Sequence, residues 1–139
     1  ISKITNNILF NKYFLNLFSI ESMWIYKKGK TMTIKLRKSE ANEPFSFIFV
    51  NAEGKTIIKS ENYAQKASAK NGIESVKKNC QEDSRYELKE SSNGKQFFNI
   101  KSTNGQIVGT SALFSDVIER NAAIAELKAN SETADIIEE

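Results

Sequence analysis

The chain has 139 residues, of which 40% are hydrophobic and 27% are charged, and its net charge is +3. This composition excludes a disordered or collagen-like chain, and the length suits one domain, or one domain with a tail. The sequence contains no histidine and a single cysteine. These counts exclude an internal disulfide, a cysteine-based metal site and the histidine-dependent serine or cysteine triads.

The first 31 residues form a leader whose composition differs from that of the rest. They carry a net charge of +4, whereas residues 32–139 carry a net charge of −1. We expect the leader to be disordered, or to be upstream sequence ahead of a natural start at Met32 or Met23. Its most apolar part, residues 8–20, is too short and too polar for a membrane span. A secretory signal peptide is the alternative.

Residues 32–82 show a pattern of three strands and a helix. Alternating apolar residues predict strands over residues 34–38, 45–50 and 56–60, with a turn at Asn51–Gly54 between the last two. The helix is predicted to begin near Ala64 and to run to about Asn79. Its apolar face has a spacing of four, three and four residues, and consists of Ala69, Ile73, Val76 and Cys80.

Residues 83–139 show the same order again. Strands are predicted over residues 86–90, 96–101 and 107–111, with tight turns at the two Asn-Gly pairs, 93–94 and 104–105. Asp116 and Glu119 have the spacing of a capping box for the next helix. That helix is predicted to carry an apolar stripe of Val117, Ile124 and Leu127. A last short strand is predicted over residues 134–137.

The order recurs because residues 45–79 are repeated, without a gap, at 96–130. The identical pairs at this offset of 51 are Phe47/Phe98, Gly54/Gly105, Ser60/Ser111, Ile73/Ile124, Lys77/Lys128 and Asn79/Asn130. A repeat of this length is usually one supersecondary unit that buries its apolar face against its copy. We therefore expect one duplicated domain over residues 32–139, with repeat one at about 32–82 and repeat two at about 83–139.

Several of these motifs resemble the YegP-like family of small bacterial proteins, a tandemly repeated domain of unknown function. The resemblance rests on four segments, which are Phe47–Gly54, Ser60–Tyr63, Asn71–Val76 and Gly94–Lys101 followed by Asn104-Gly105. The second copy departs from it, with Ser111–Phe114 in place of the Ser-Glu-x-Tyr motif and Ala122–Ile124 in place of Asn-Gly-Ile. The resemblance implies an α+β fold in which two tandem β-β-β-α repeats form one antiparallel sheet, with the helices on one face and C-terminal strands exchanged between repeats. It implies no catalytic residues.

The residues themselves also predict no catalytic, cofactor or metal site. Cys80 continues the apolar face of the first helix, so we interpret it as a small buried hydrophobe, with a reactive thiol as the alternative. Glu82 and Asp83 lie in a polar connector and are interpreted as solvated charges. The glycines are scattered and form no phosphate-binding loop.

One surface is a candidate binding face. If Phe47 and Phe98 face the helices, pleating sends their neighbours to the opposite face of the sheet, which a single helical layer leaves open. The candidate residues on that face are Ile48, Val50, Lys95, Phe97 and Lys101. An exposed apolar strip there would mark an interface, unless swapped strands or a partner copy cover it.

The duplication, this face and the lack of catalytic groupings lead to one main hypothesis. It is a small non-enzymatic domain that acts through protein contacts, either with an unknown protein partner or as a homodimer, which strand exchange would make accessible. One alternative is single-stranded nucleic-acid binding on Lys95, Phe97 and Lys101, although the near-neutral domain argues against nucleic acid. Another is a small carboxylate-based enzyme, which needs a pocket. The lack of paired cysteines favours the cytoplasm.

Overall fold

The computed structural model describes residues 32–139, in which three strands and a helix follow one another twice before a final strand. The strands are β1 (Thr33–Lys38), β2 (Phe45–Val50), β3 (Thr56–Lys59), β4 (Tyr86–Glu90), β5 (Gln96–Lys101), β6 (Ile107–Ser111) and β7 (Asp135–Glu138). The helices are α1 (Lys66–Asn79) and α2 (Val117–Asn130), and a short 3-10 turn occupies Asp83–Arg85. The expectations for the leader fall on residues 1–31 and lie outside the described residues.

The seven strands form one sheet in the order β4-β5-β6-β3-β2-β1-β7. The expectation of a wholly antiparallel sheet is wrong, because β7 pairs with β1 in parallel and the sheet is mixed. The physical reason is connectivity. A tight hairpin forces its two strands to be antiparallel, whereas β1 and β7 come from opposite ends of the domain and no hairpin joins them.

The two halves of the sheet meet at β3 and β6. This junction has two residue pairs, Ile58 with Ser111 and Lys59 with Thr110. Lys59 and Thr110 are also equivalent positions of the repeat, at the offset of 51. An antiparallel pair of equivalent residues marks a local two-fold axis, so the two halves are related by a pseudo-two-fold through this pair.

The core lies between the helices and one face of the sheet. Phe47 and Phe49 of β2 and Phe98 and Ile100 of β5 are fully buried there, as the alternation predicts. The buried helix residues in the same cluster are Ala69, Ile73, Val76, Cys80, Ala123 and Leu127. The stacked aromatic pairs are equivalent in the two halves, with ring centroids 6.2 Å apart for Phe47–Tyr63 and 6.3 Å apart for Phe98–Phe114.

The turn glycines and the cap of the second helix have the conformations that the sequence predicts. Gly54 and Gly105 have φ angles of +86° and +87°, which glycine adopts without the steric cost of a Cβ. At the start of α2, Asp116 accepts a hydrogen bond from the backbone N–H of Glu119 at 2.9 Å. The stripe expected on α2 needs a correction at its first residue, because Val117 is 47% exposed while Leu127 is fully buried. Neither helix in residues 32–139 combines the length and hydropathy that a membrane span requires.

Candidate functional site

The open face of the sheet is less apolar at its surface than the sequence indicates. Ile48 and Val50 are 5% and 6% exposed, so the expectation that they form an exposed strip is wrong. Ile48 lies between Lys35 on β1 and Lys59 on β3 in the cross-strand register. Lysine stems lie along apolar neighbours and keep only the charged head in water. The apolar atoms of this face are thus largely hidden.

Phe97 and Lys101 alternate along β5 with the buried Phe98 and Ile100, whereas Lys95 precedes the strand. Lys95 is exposed, and Phe97 and Lys101 are half-buried. Lys101 is already paired, because its Nζ lies 3.1 Å from Oε2 of Glu87 on β4. Asn99 donates a second hydrogen bond to Glu87, at 3.0 Å. These bonds from Asn99 and Lys101 lower the pKa of Glu87, and the paired Lys101 has less charge to offer a phosphate.

A shallow depression of about 340 Å³ lies over the β3–β6 junction. Its lining residues are Lys59, Ser60, Glu61, Ile107, Gly109, Thr110 and Ser111. Each serine hydroxyl accepts a hydrogen bond from a core backbone N–H, Phe47 for Ser60 and Phe98 for Ser111, at 2.9 Å. Each also donates to the carbonyl of the following residue, at 2.7 Å. Both hydroxyls therefore have structural roles, and this geometry does not favour a serine nucleophile.

Cys80 lies where the C-terminal ends of the two helices meet. Its Sγ is 3.1 Å from Oγ of Ser131, the residue at the equivalent position of the second repeat. Both residues are fully buried. Burial raises the pKa of the Cys80 thiol, although its hydrogen bonds with Ser131 and Gln81 oppose the shift. The interpretation of Cys80 as a buried hydrophobe is confirmed, since a reactive thiol needs exposure and a lowered pKa.

The outer edge of β4 is the feature that the sequence did not reveal. Leu88 on β4 is 52% exposed, whereas Leu36 on β1, the corresponding residue of the first hairpin, is 2% exposed. The two strands differ in their outer neighbours. β7 lies beyond β1, but among residues 32–139 no strand lies beyond β4. Within residues 32–139 the two halves thus differ at one strand position, which is filled beside β1 and vacant beside β4.

A groove of about 390 Å³ runs between β4 and α2 at the vacant position. Its lining residues are Asp83, Tyr86, Leu88, Asn121, Ile124, Ala125 and Lys128. Its floor is well anchored, because the Tyr86 hydroxyl donates to the Cys80 carbonyl at 2.6 Å and Lys128 contacts both Asp83 and the Tyr86 ring. Burial raises the pKa of Tyr86. The groove is therefore a preformed surface with an apolar edge.

The filled position shows how helix residues hold an outer strand. Glu138 of β7 lies 2.5 Å from Nζ of Lys66 and 3.7 Å from Nζ of Lys70, both on α1. The residues of α2 at the equivalent positions are Val117 and Asn121. The vacant position therefore lacks cations equivalent to Lys66 and Lys70, and it has an apolar and an amide side chain instead.

Comparison with known proteins identifies the family. The model of a domain of unknown function, DUF1508, matches the chain twice, over residues 41–87 and 91–138. The chain belongs to the DUF1508 family. The second match spans β5, β6, α2 and β7, whereas the first spans β2, β3, α1 and only the first two residues of β4. Both matches therefore begin ahead of β2 or β5 and not at β1 or β4. The first match thus ends within β4, which is also the hairpin partner of β5.

Curated relatives and solved structures agree with this assignment. The chain is 45% identical over 96 residues to the UPF0339 protein YegP of Shigella flexneri. The aligned residues make up 69% of this chain and 86% of the relative. The solution NMR structure of a protein of unknown function, yegP from E. coli, matches with a TM-score of 0.72 and 39% identity, covering 78% of this chain and 92% of that one. The UPF0339 protein SO3888 from Shewanella oneidensis matches with the same TM-score, 36% identity, and coverage of 78% and 91%. The resemblance to the YegP-like family is confirmed.

Proposed function

We propose that this DUF1508 chain is a non-enzymatic domain that acts through protein–protein contacts, and that its contact surface is the β4 edge with the adjoining groove. The observation that carries the proposal is the contrast between Leu88, 52% exposed, and Leu36, 2% exposed. An edge strand presents unpaired backbone N–H and C=O groups, which a partner strand can satisfy. The surface replaces the open face predicted from sequence, where Ile48 and Val50 have little exposed area.

The surrounding side chains support the same surface. Val117 and Ile118 begin α2 and are 47% and 76% exposed. At helical spacing, Val117 continues the stripe that includes Asn121 and Ile124, both of which line the groove. Exposed apolar residues grouped beside an unpaired edge are typical of an interface, whereas isolated ones are ordinary.

Native mass spectrometry of the full chain, purified gently from its own source, tests the proposal. We expect masses of non-covalent complexes, which a Leu88→Lys variant loses because it places a charge in the contact. Ile107→Lys is the matched control, since Ile107 is 42% exposed but lies on β6, in the interior of the sheet. A bare monomer for the wild-type chain, or equal complexes for the two variants, would contradict the proposal.

A further inference from the structure

We infer that the strand which fills the vacant position is β4 of a second copy of this chain, paired antiparallel with Leu88 of one copy opposite Leu88 of the other. The inference rests on the proposed interaction function and names the partner. This strand pairing would join two seven-stranded sheets into one continuous sheet. A two-fold axis would pass between the facing leucines, and the helices of both copies would lie on the same side of the sheet.

The charges of β4 support this register. Around Leu88 the strand reads Glu87-Leu88-Lys89. With Leu88 on the axis, Glu87 of each copy faces Lys89 of the other, so opposite charges meet twice on the open face. Directly opposed side chains of opposite charge stabilise an antiparallel pair, and like charges destabilise it. Glu87 and Lys89 therefore favour this antiparallel self-pairing.

Other registers lack this match. An axis at Glu87 or at Lys89 would place two like charges opposite each other, and parallel pairing in register would place Glu87 opposite Glu87. Charged edges commonly prevent edge-to-edge association. Here the alternation of sign around Leu88 disfavours these like-charge pairings and favours the antiparallel one.

The residues of α2 that border the vacant position also favour β4 of a second copy. The incoming strand would direct its Leu88 toward the groove beside Asn121 and Ile124, where the first repeat directs Glu138 of β7 toward two lysines. A second β7-like strand would bring an acidic residue to Val117 and Asn121, which cannot form its ion pairs. An incoming β4 brings a leucine to the same place. The presence of Val117 and Asn121 where α1 has two lysines therefore favours β4 over a β7-like strand.

Sedimentation velocity of the full chain, from micromolar to millimolar concentration, tests the inference. A five-residue strand pair with a few flanking side chains is a small interface, so we expect a concentration-dependent monomer–dimer equilibrium. Lys89→Glu and Glu87→Lys should each weaken the dimer by about tenfold or more, because each replaces both attractive pairs by repulsive ones. Ile107→Lys should leave the equilibrium unchanged.

Mixing the two charge variants separates this register from any other contact. In the antiparallel pairing a Lys89→Glu chain and a Glu87→Lys chain are complementary, so we expect the equimolar mixture to recover the dimer. Thermal melts confirm that each variant is folded, which is needed because Glu87→Lys removes the contacts with Asn99 and Lys101. A mixture that stays monomeric while wild type dimerises would overturn the register.

Failure of the inference is distinguishable from failure of the proposed function. A chain that is monomeric at every concentration, but whose native mass spectra show a different protein bound in a Leu88-dependent way, would overturn the second copy as partner and retain the interaction function. A chain that shows neither would overturn both.

Discussion

A substitution at Gly72 on α1 tests whether helix and aromatic ring are packed in the same way in the two repeats. A Cβ at Gly72 would lie 2.6 Å from the Tyr63 hydroxyl oxygen and 2.9 Å from Cε2 of Phe47. In the second repeat the equivalent residues are Ala123 and Phe114. The second half therefore carries the methyl group and lacks the hydroxyl, so the structure indicates that the two groups compete for one space.

The expected energies follow from this competition. Overpacking a core costs about 1–3 kcal/mol, and replacing a helical glycine by alanine gains about 1 kcal/mol. Gly72→Ala alone should thus destabilise the domain by about 1 kcal/mol. In a Tyr63→Phe background the same change should be close to neutral, because the contact with the hydroxyl is removed and only the 2.9 Å approach to Cε2 of Phe47 has to relax. The coupling between the two substitutions should be about 1–2 kcal/mol.

Urea unfolding of the wild type, the two single variants and the double variant measures this coupling. The second repeat offers a mirror experiment, in which Phe114→Tyr should be destabilising beside Ala123 and should be rescued by Ala123→Gly. Additive effects within about 0.5 kcal/mol in both cycles would refute the reasoning.

Ser60→Ala and Ser111→Ala should each lower the free energy of unfolding by about 2 kcal/mol, because each leaves a buried backbone N–H unpaired, and urea denaturation should show similar losses for the two. Cys80 should react with a thiol reagent only as fast as the domain unfolds, since it is fully buried with a raised thiol pKa; labelling of the native state at a urea-independent rate would contradict this. The pKa of Glu138 is lowered, chiefly by its hydrogen bond with Lys66, so this contribution to stability is present above the unfolded glutamate value of about 4.3 and is lost as pH falls through the lower folded value. Glu138→Gln should flatten this part of the pH dependence of the urea midpoint, and an unchanged profile would refute the role of the ion pair.

Much of the fold is local and could be predicted from sequence. Strands β4, β5 and β6 have the predicted bounds because each is delimited by short turn signals, such as Asn104-Gly105, whose conformation depends on neighbouring residues. The helix cap at Asp116 and the burial of Cys80 are equally local, since spacing along one helix determines both. The repeat then extends these assignments from one half to the other.

The features that the sequence predicted wrongly, or did not predict, depend on contacts between residues distant in sequence. The direction of β7 is determined by its pairing with β1, about 100 residues earlier, and no turn between them records it. Val117 fits an apolar helical stripe but lies beside the vacant edge, so its exposure follows from the absence of an outer strand in residues 32–139. Leu36 and Leu88 have the same local pattern, and only the sheet order distinguishes the buried residue from the exposed one.

Disulfide trapping at position 88 tests the central claim most directly. Directly opposed residues of an antiparallel pair have Cα atoms about 4.5–5.5 Å apart, which a disulfide bridges without strain. Under mild oxidation, Leu88→Cys should give a linked dimer and Ile107→Cys should not, while the buried Cys80 stays unreacted in both. Equal yields from the two variants, or no linked dimer from Leu88→Cys, would contradict self-pairing of the β4 edge.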